Sequence, residues 1–324
     1  MRVINDLAEL EQAGLRRVVA ALGNFDGVHL GHRELIRAAV SRAEQSGGQS
    51  AVVTFVPHPL KVLAPDKSPK LLTTLPQRLR HFEALGVDVV ILLPFTLELA
   101  ALSPVEFVRR ILREKLDTVH VFVGFNYSFG HGATGGPDEL AELGEELGFG
   151  VSVVEPRRVD GVIVSSTLIR GALERGDIDE VEKFLGYWPS VPGIVVKGDR
   201  RGRTIGYPTA NVEPPGDLLI PARGVYAAWV SVSRDSMYPA MVNIGAKPTF
   251  KDWSEDIIEA HIFDFDQDIY GQTVEVFFRR RLRHERKFAS VGDLLRQLEK
   301  DKITSYSILK KDNLPELSSK KQIL

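Results

Sequence analysis

The sequence predicts an α/β domain on a parallel sheet, followed by a small antiparallel β-barrel with a helix at its C-terminal end. Three observations carry this. Up to Leu185, short apolar runs rich in Val and Ile alternate with amphipathic helical patterns, the signature of strand–helix–strand units. Beyond Gly186 the alternation gives way to closely spaced strand-like runs with little helix between them. The chain has 324 residues, long enough for two cores. We therefore divide it into 1–185, 186–312 and a polar tail, 313–324, expected to fray.

Composition excludes several classes. Apolar residues at 44% and charged residues at 26% are ordinary globular values, and a net charge of −2 disfavours a dedicated nucleic-acid binder. With no cysteine, disulfides, thiolate catalysis and cysteine-based zinc sites fall together. The start, Met1-Arg2-Val3-Ile4-Asn5-Asp6, lacks the apolar stretch of a signal peptide, and no window is apolar enough to span a membrane. A cytoplasmic protein acting on small molecules, without nucleic acid or membrane, is expected.

The most informative stretch is Gly23-Asn24-Phe25-Asp26-Gly27-Val28-His29-Leu30-Gly31-His32, behind the apolar run Val18–Leu22. It reads as strand, glycine turn, helix. Gly23 and Gly27 let the backbone bend and approach a ligand, and the helix carries Leu35, Ile36, Ala39 and Val40 on one face. His29 and His32 fall at the helix entrance, where free N–H groups and the dipole favour an anion, and three-residue spacing lets both face one phosphate. An imidazolium there could stabilise growing charge. Two other readings stay open: metal ligation, which has neither cysteine nor an H-E-x-x-H pattern behind it, and a merely structural turn.

The elements continue in order. Strand Ser50–Phe55 stops at Val56-Pro57-His58-Pro59, which holds His58 on a stiff loop as a substrate contact or a simple loop histidine. A helix follows over 76–85, closed by Gly86, then strand Val87–Leu93. Ser103-Pro104-Val105-Glu106 opens a helix through Leu116, and strand Thr118–Val123 follows. Gly124-Phe125-Asn126-Tyr127-Ser128-Phe129-Gly130 is a glycine-bounded aromatic loop that could stack a planar ring and bond its edge through Asn126, or could simply plug the domain. Helix Pro137–Leu147 and strand Val151–Val154 complete the alternation. Ser165, Ser166 and Thr167 are good helix caps, and Arg170, four residues after Ser166, could reach a phosphate from the same helix entrance.

In the second half, strands are expected at 193–198, 224–232, 238–244, 257–263 and 273–278, with a final helix over Val291–Lys302 capped by Ser290. Gly198-Asp199-Arg200-Arg201-Gly202-Arg203-Thr204-Ile205-Gly206-Tyr207-Pro208-Thr209-Ala210-Asn211 could wrap phosphates, although it lacks P-loop spacing. Thr209 and Asn211 point the same way in an extended segment and suit Mg²⁺, which takes few protein oxygens; a glycine–proline turn is the plainer reading. Glu259 stands inside an apolar strand, either facing outward or employed. Asp264, Asp266 and Asp268 read as an acidic turn. Arg279-Arg280-Arg281 with Arg283, Arg286 and Lys287 reads as a solvated basic run, with a nearby polyphosphate the second reading.

Taken together, G-N-F-D-G-V-H-L-G-H (23–32), T-F-V-P-H-P (54–59), G-F-N-Y-S-F-G (124–130), V-S-S-T-L-I-R (164–170), G-Y-P-T-A-N (206–211), G-V-Y (224–226), N-I-G-A-K-P-T-F (243–250) and E-A-H-I (259–262) resemble the bacterial bifunctional riboflavin kinase/FMN adenylyltransferases, also called FAD synthetases. The resemblance implies a Rossmann-like nucleotidyltransferase of the HxGH type in the first domain. It would bind ATP on Gly23, Asn24, Phe25, Asp26, His29, His32, Ser165, Ser166, Thr167 and Arg170, and flavin on His58, Asn126 and Tyr127. It implies riboflavin phosphorylation in the barrel. There Gly198, Arg203 and Gly206 would contact ATP, Thr209 and Asn211 would hold Mg²⁺, and Glu259 would act as base. Riboflavin and ATP would be substrates, FMN the intermediate and FAD the product. The chain departs from many members at Asn126-Tyr127-Ser128, where they carry Asp-Phe-Arg, and at Tyr187-Trp188, where they carry Arg-Pro. Two rivals stand beside this: a monofunctional adenylyltransferase with a non-catalytic flavin-binding barrel, and an RNA-binding module.

Overall fold

A computed structural model describes residues 1–198, 201–233, 236–246 and 256–311 of the chain. In its first unit, Met1–Lys70 with Thr74–Ser165, a six-stranded sheet is built from β1 (Arg2–Ile4), β2 (Val18–Leu22), β3 (Gln49–Val56), β4 (Val89–Pro94), β5 (Thr118–Gly124) and β6 (Gly150–Val154). The order is β1-β4-β3-β2-β5-β6, and every pairing is parallel. Such a sheet needs cover on both faces, which is why its strands read as continuous apolar runs. On β2, Val18, Ala20 and Leu22 join a core beneath helices 104–107 and 137–147, while Val19 and Ala21 pack beneath helices 30–46 and 75–84. After β2 the chain adds strands on one side and then returns to the other with β5. The carboxyl ends of β2 and β5 therefore form the crevice where open α/β sheets bind ligands.

The second unit takes residues 71–73 and those described from Ser166 on. A small hairpin, β7 (Arg158–Val159) with β8 (Val162–Ile163), precedes it. Six antiparallel strands then close a barrel: β9 (Ser190–Val196), β10 (Ala210–Glu213), β11 (Gly224–Ser233), β12 (Ser236–Ala246), β13 (Asp256–Ile262) and β14 (Thr273–Arg283), in the order β10-β13-β12-β11-β14-β9. One cross-strand row, Val212–Ile258–Ile244, is almost wholly buried and fills the interior. Helix Val291–Leu309, capped by the Ser290 side chain on Asp293 N–H at 3.1 Å, covers part of the outer wall.

Several details differ from the sequence reading. The segment opened by Ser103 is α-helical only over Pro104–Phe107 and continues in wider π-helical turns over Val108–Lys115. The C-terminal helix runs seven residues beyond Lys302. β1 and the helices Leu7–Gln12 and Ile178–Leu185 were not anticipated; β1 and the first helix are too short to show a period. β14 extends through the arginines read as a solvated run. They are paired: Arg279 with Glu182 at 2.9 Å, Arg280 with Asp179 at 3.4 Å and Arg283 with Asp301 at 2.8 Å. The expected tail, Asp199, Arg200 and residues 247–250 lie outside the described residues. Among the described residues, no helix is long and apolar enough to cross a membrane.

Candidate active sites

The turn after β2 holds an uncommon backbone. Phe25 (φ 51°), Gly27 (φ 84°) and Val28 (φ 37°) all adopt left-handed values, which costs free energy at the two non-glycine positions. What holds them is burial and anchoring. Phe25 and Val28 are almost wholly buried, and the Asn24 carbonyl accepts from the Arg78 guanidinium at 3.0 Å and the Thr54 hydroxyl at 3.3 Å. A Cβ on Gly23 would press on the Phe25 ring at 3.1 Å.

This turn delivers His29 as the N-cap of helix Leu30–Ser46, its Nδ1 accepting from His32 N–H at 3.3 Å. A neutral His29 therefore carries its proton on Nε2. The two imidazoles stack with centroids 3.5 Å apart and planes inclined by 15°. Burial lowers the His29 pKa to about 4. Burial, then the neighbouring His29 and Arg78 charges, hold His32 well below the usual histidine range. Both shifts favour the neutral ring. His32 Nδ1 is buried with no hydrogen-bond partner among the described residues. Asp26 is also buried.

Around the same carboxyl edge, His58 caps the short helix Pro59–Leu63, its Nδ1 accepting from Leu60 N–H at 3.2 Å. After β5, Asn126 and Phe125 are exposed, Phe125 by 45%. Tyr127 instead packs on the core with its ring stacked on Phe129, centroids 5.7 Å apart, and burial raises its hydroxyl pKa. Of the loop's first two aromatics, Phe125 is the one left open to a ligand. Ser166, Thr167 and Arg170 lie on the first turns of helix Ser166–Arg175, in the second unit, with Ser165 just before it.

The second unit holds a cavity of about 760 Å³ on the barrel's outer wall. Strand alternation explains its polarity. One residue along from the buried Val212–Ile258–Ile244 row, the register sets Asn211 opposite Glu259 and Glu259 opposite Asn243; Asn243 faces Val225, and Val225 faces Arg283. All five line the cavity, as do Gly198, Gly202, Tyr207 and Thr209. Glu259 thus points out of the barrel, yet into the cavity. Gly198 is required here: a Cβ would overlap the Asn211 amide. Arg203 and Gly206, expected at the phosphates, are not among the lining residues.

Four contributors escaped the sequence reading. Arg78 was hidden in a helical pattern. His261, on the same face as Glu259, bonds through Nδ1 to the Pro208 carbonyl at 2.8 Å and so fixes the peptide before Thr209; its pKa is lowered by burial. Asn243 is visible only through register. Glu285 lies so close to Gly245 that a Cβ there would meet its carboxylate. Helix Val291–Leu309 contributes Leu294 and Leu298, giving the cavity an apolar side.

A hydroxyl and a carboxamide, with a carboxylate one strand away, form a hard-oxygen donor set that fits Mg²⁺ held partly by phosphates. Thr209 and Asn211 are the residues that would hold it.

Both halves of the chain are similar to known proteins. Residues 11–168 match the model of the FAD synthetase family, and residues 185–309 that of riboflavin kinase. The bifunctional riboflavin kinase/FMN adenylyltransferase of Bacillus subtilis is 40% identical over 303 residues, 91% of this chain and 93% of the relative. Its Listeria monocytogenes counterpart is 42% identical over 87% of this chain and 90% of the relative, and that of Escherichia coli K12 36% identical over 94% and 97%. A crystal structure described as a macrolide-efflux protein from Streptococcus pneumoniae has a TM-score of 0.84 and 34% identity, covering 94% of this chain and 99% of that one. The chain belongs to the bifunctional riboflavin kinase/FMN adenylyltransferase family.

Proposed function

We propose that the chain is a cytoplasmic enzyme that makes FAD in two ATP-dependent steps at separate centres. The observation that carries the kinase half is the row Asn211–Glu259–Asn243 lining one cavity with Thr209. Riboflavin binds against the apolar side of the cavity and ATP toward Gly198 and Gly202. Glu259 takes the proton of the ribityl hydroxyl as its oxygen bonds to the γ-phosphorus and ADP leaves. Mg²⁺ neutralises phosphate charge when bound, and Thr209 and Asn211 orient it.

Adenylyl transfer belongs to 1–185 and riboflavin phosphorylation to 186–312. In the first, an FMN phosphate oxygen attacks the α-phosphorus of ATP and pyrophosphate departs. Positioning and charge stabilisation do most of this chemistry. The His29 Nε2–H donates as charge grows, the anchored 23–28 turn shapes the nucleotide site with Asn24 and Asp26, and Ser165, Ser166, Thr167 and Arg170 bind phosphates. His58, Asn126 and Phe125 contact flavin.

A purely adenylylating enzyme is the lesser reading, because the barrel keeps both the Asn211–Glu259 pair and the glycine that accommodates it. The test is incubation with riboflavin, ATP and a magnesium salt, followed by flavin chromatography. FMN followed by FAD is expected; formation of neither overturns the proposal.

A further inference from the structure

Arg281 grips the far end of the helix that carries Arg170. On β14 it lies directly opposite Tyr226 of β11. Its Nη1 donates to the carbonyl of Arg175, the last residue of helix Ser166–Arg175, at 2.9 Å, and its Nη2 donates to the Arg223 carbonyl. The guanidinium stands 5.9 Å from the centroid of the Tyr226 ring, and the Tyr226 hydroxyl in turn donates to the Ala222 carbonyl. Ala222 N–H closes the circuit by donating to the Leu173 carbonyl at 2.9 Å. Room for the guanidinium comes from two glycines. A Cβ on Gly176 would lie 2.9 Å from Nη1 and one on Gly224 2.7 Å from Nε.

Gly224 and Tyr226 of the G-V-Y motif thereby form the socket of this arginine, while Val225 between them lines the kinase cavity, which neither Arg281 nor Tyr226 does. Helix Ser166–Arg175 is not a barrel strand and is not needed to close the barrel. A cation on its terminal carbonyls does two things: it complements the helix dipole and fixes the helix direction, hence where the first turn aims Arg170. The following helix, Ile178–Leu185, is tied to the same strand by a different contact, the ion pair of Arg279 with the Glu182 side chain at 2.9 Å.

We propose that Arg281, a residue of the barrel, is a positioning residue for adenylyl transfer, acting through the helix that presents Ser166, Thr167 and Arg170 to the ATP phosphates. This rests on the phosphate-binding role given above to Arg170. A displacement of about 1 Å at such a group is enough to slow a positioned reaction heavily.

The test uses the full chain with R281M, R281K, R170A and the double variant R170A/R281M, assayed for FMN adenylylation at varied ATP and for riboflavin phosphorylation. R281M is expected to lower kcat/KM for ATP in adenylylation by about tenfold or more, while phosphorylation, which also reports that the barrel is folded, stays within about twofold of wild type. R281K should recover part of the loss, and R281M should add nothing in the R170A background. Unchanged adenylylation in R281M, equal loss of both activities, or a fully additive loss in the double variant overturns the clamp. Wild-type adenylylation by R170A overturns instead the role of Arg170 on which the clamp rests.

Discussion

Asn211 and Glu259 face each other directly across β10 and β13, side chains on the same face, with Gly198 beneath the Asn211 amide. The pairing places a metal-suited carboxamide and a proton acceptor side by side on a rigid sheet rather than on loops. The space under the amide is the vulnerable point. Gly198→Ala should displace Asn211 and lower kcat/KM for ATP in riboflavin phosphorylation by about a hundredfold, with FMN adenylylation unchanged. Steady-state kinetics of the two reactions on the same preparation checks it.

The buried histidines give the first unit an acid sensitivity of definite sign. The His29 pKa is about 4 in the folded chain against 6.5 for an ordinary histidine, so below about pH 6.5 the unfolded chain binds a proton that the folded chain refuses. Stability is fully present above that pH and falls as the pH drops from 6.5 toward 4, with the slope of one proton for His29. Thermal unfolding followed across that range should show the decline, and His29→Asn, which can still cap the helix, should flatten it by one proton.

His32→Ala removes a half-buried ring that stacks on His29 and packs edge-on against Phe25, centroids 5.3 Å apart. The strained turn loses a wall. FMN adenylylation should fall by at least about a hundredfold, with riboflavin phosphorylation retained; loss of phosphorylation instead would contradict the separation of centres.

Arg283, which lines the kinase cavity, is held by Asp301 at 2.8 Å, with the carboxylate 5% exposed and also accepting from Gln297 at 2.7 Å. Removing one partner of such a pair leaves a charge poorly compensated. Asp301→Ala should destabilise the barrel by about 3 kcal/mol, measured by denaturant unfolding, and should raise the KM for riboflavin phosphorylation.

The parallel sheet was legible because both its faces are covered and its strands announce themselves as uninterrupted apolar runs, such as Val18–Leu22. The barrel was legible from strand spacing and its polar motif from the glycines at 198, 202 and 206, whereas the residues alone left Glu259 either facing outward or employed. What stayed hidden depends on register and distance. Asn243 becomes part of the site only when β12 is laid against β13, and His261 only when its ring reaches Pro208. The arginines of β14 read as solvated because their partners, Glu182 and Asp301, lie 97 and 18 residues away in sequence. The loop reading left its aromatics open between stacking a ligand and plugging the domain; the structure packs Tyr127 against the core and leaves Phe125 exposed.

The most direct measurement of the central claim, two chemistries at two centres, is flavin chromatography of Glu259→Gln supplied in turn with riboflavin and with FMN, each with ATP and magnesium. The substitution keeps the size of the side chain and removes its basicity. We expect FMN formation from riboflavin to fall by about a hundredfold or more while FMN is converted to FAD at the wild-type rate. Equal loss of both conversions, or undiminished phosphorylation of riboflavin, would contradict the account.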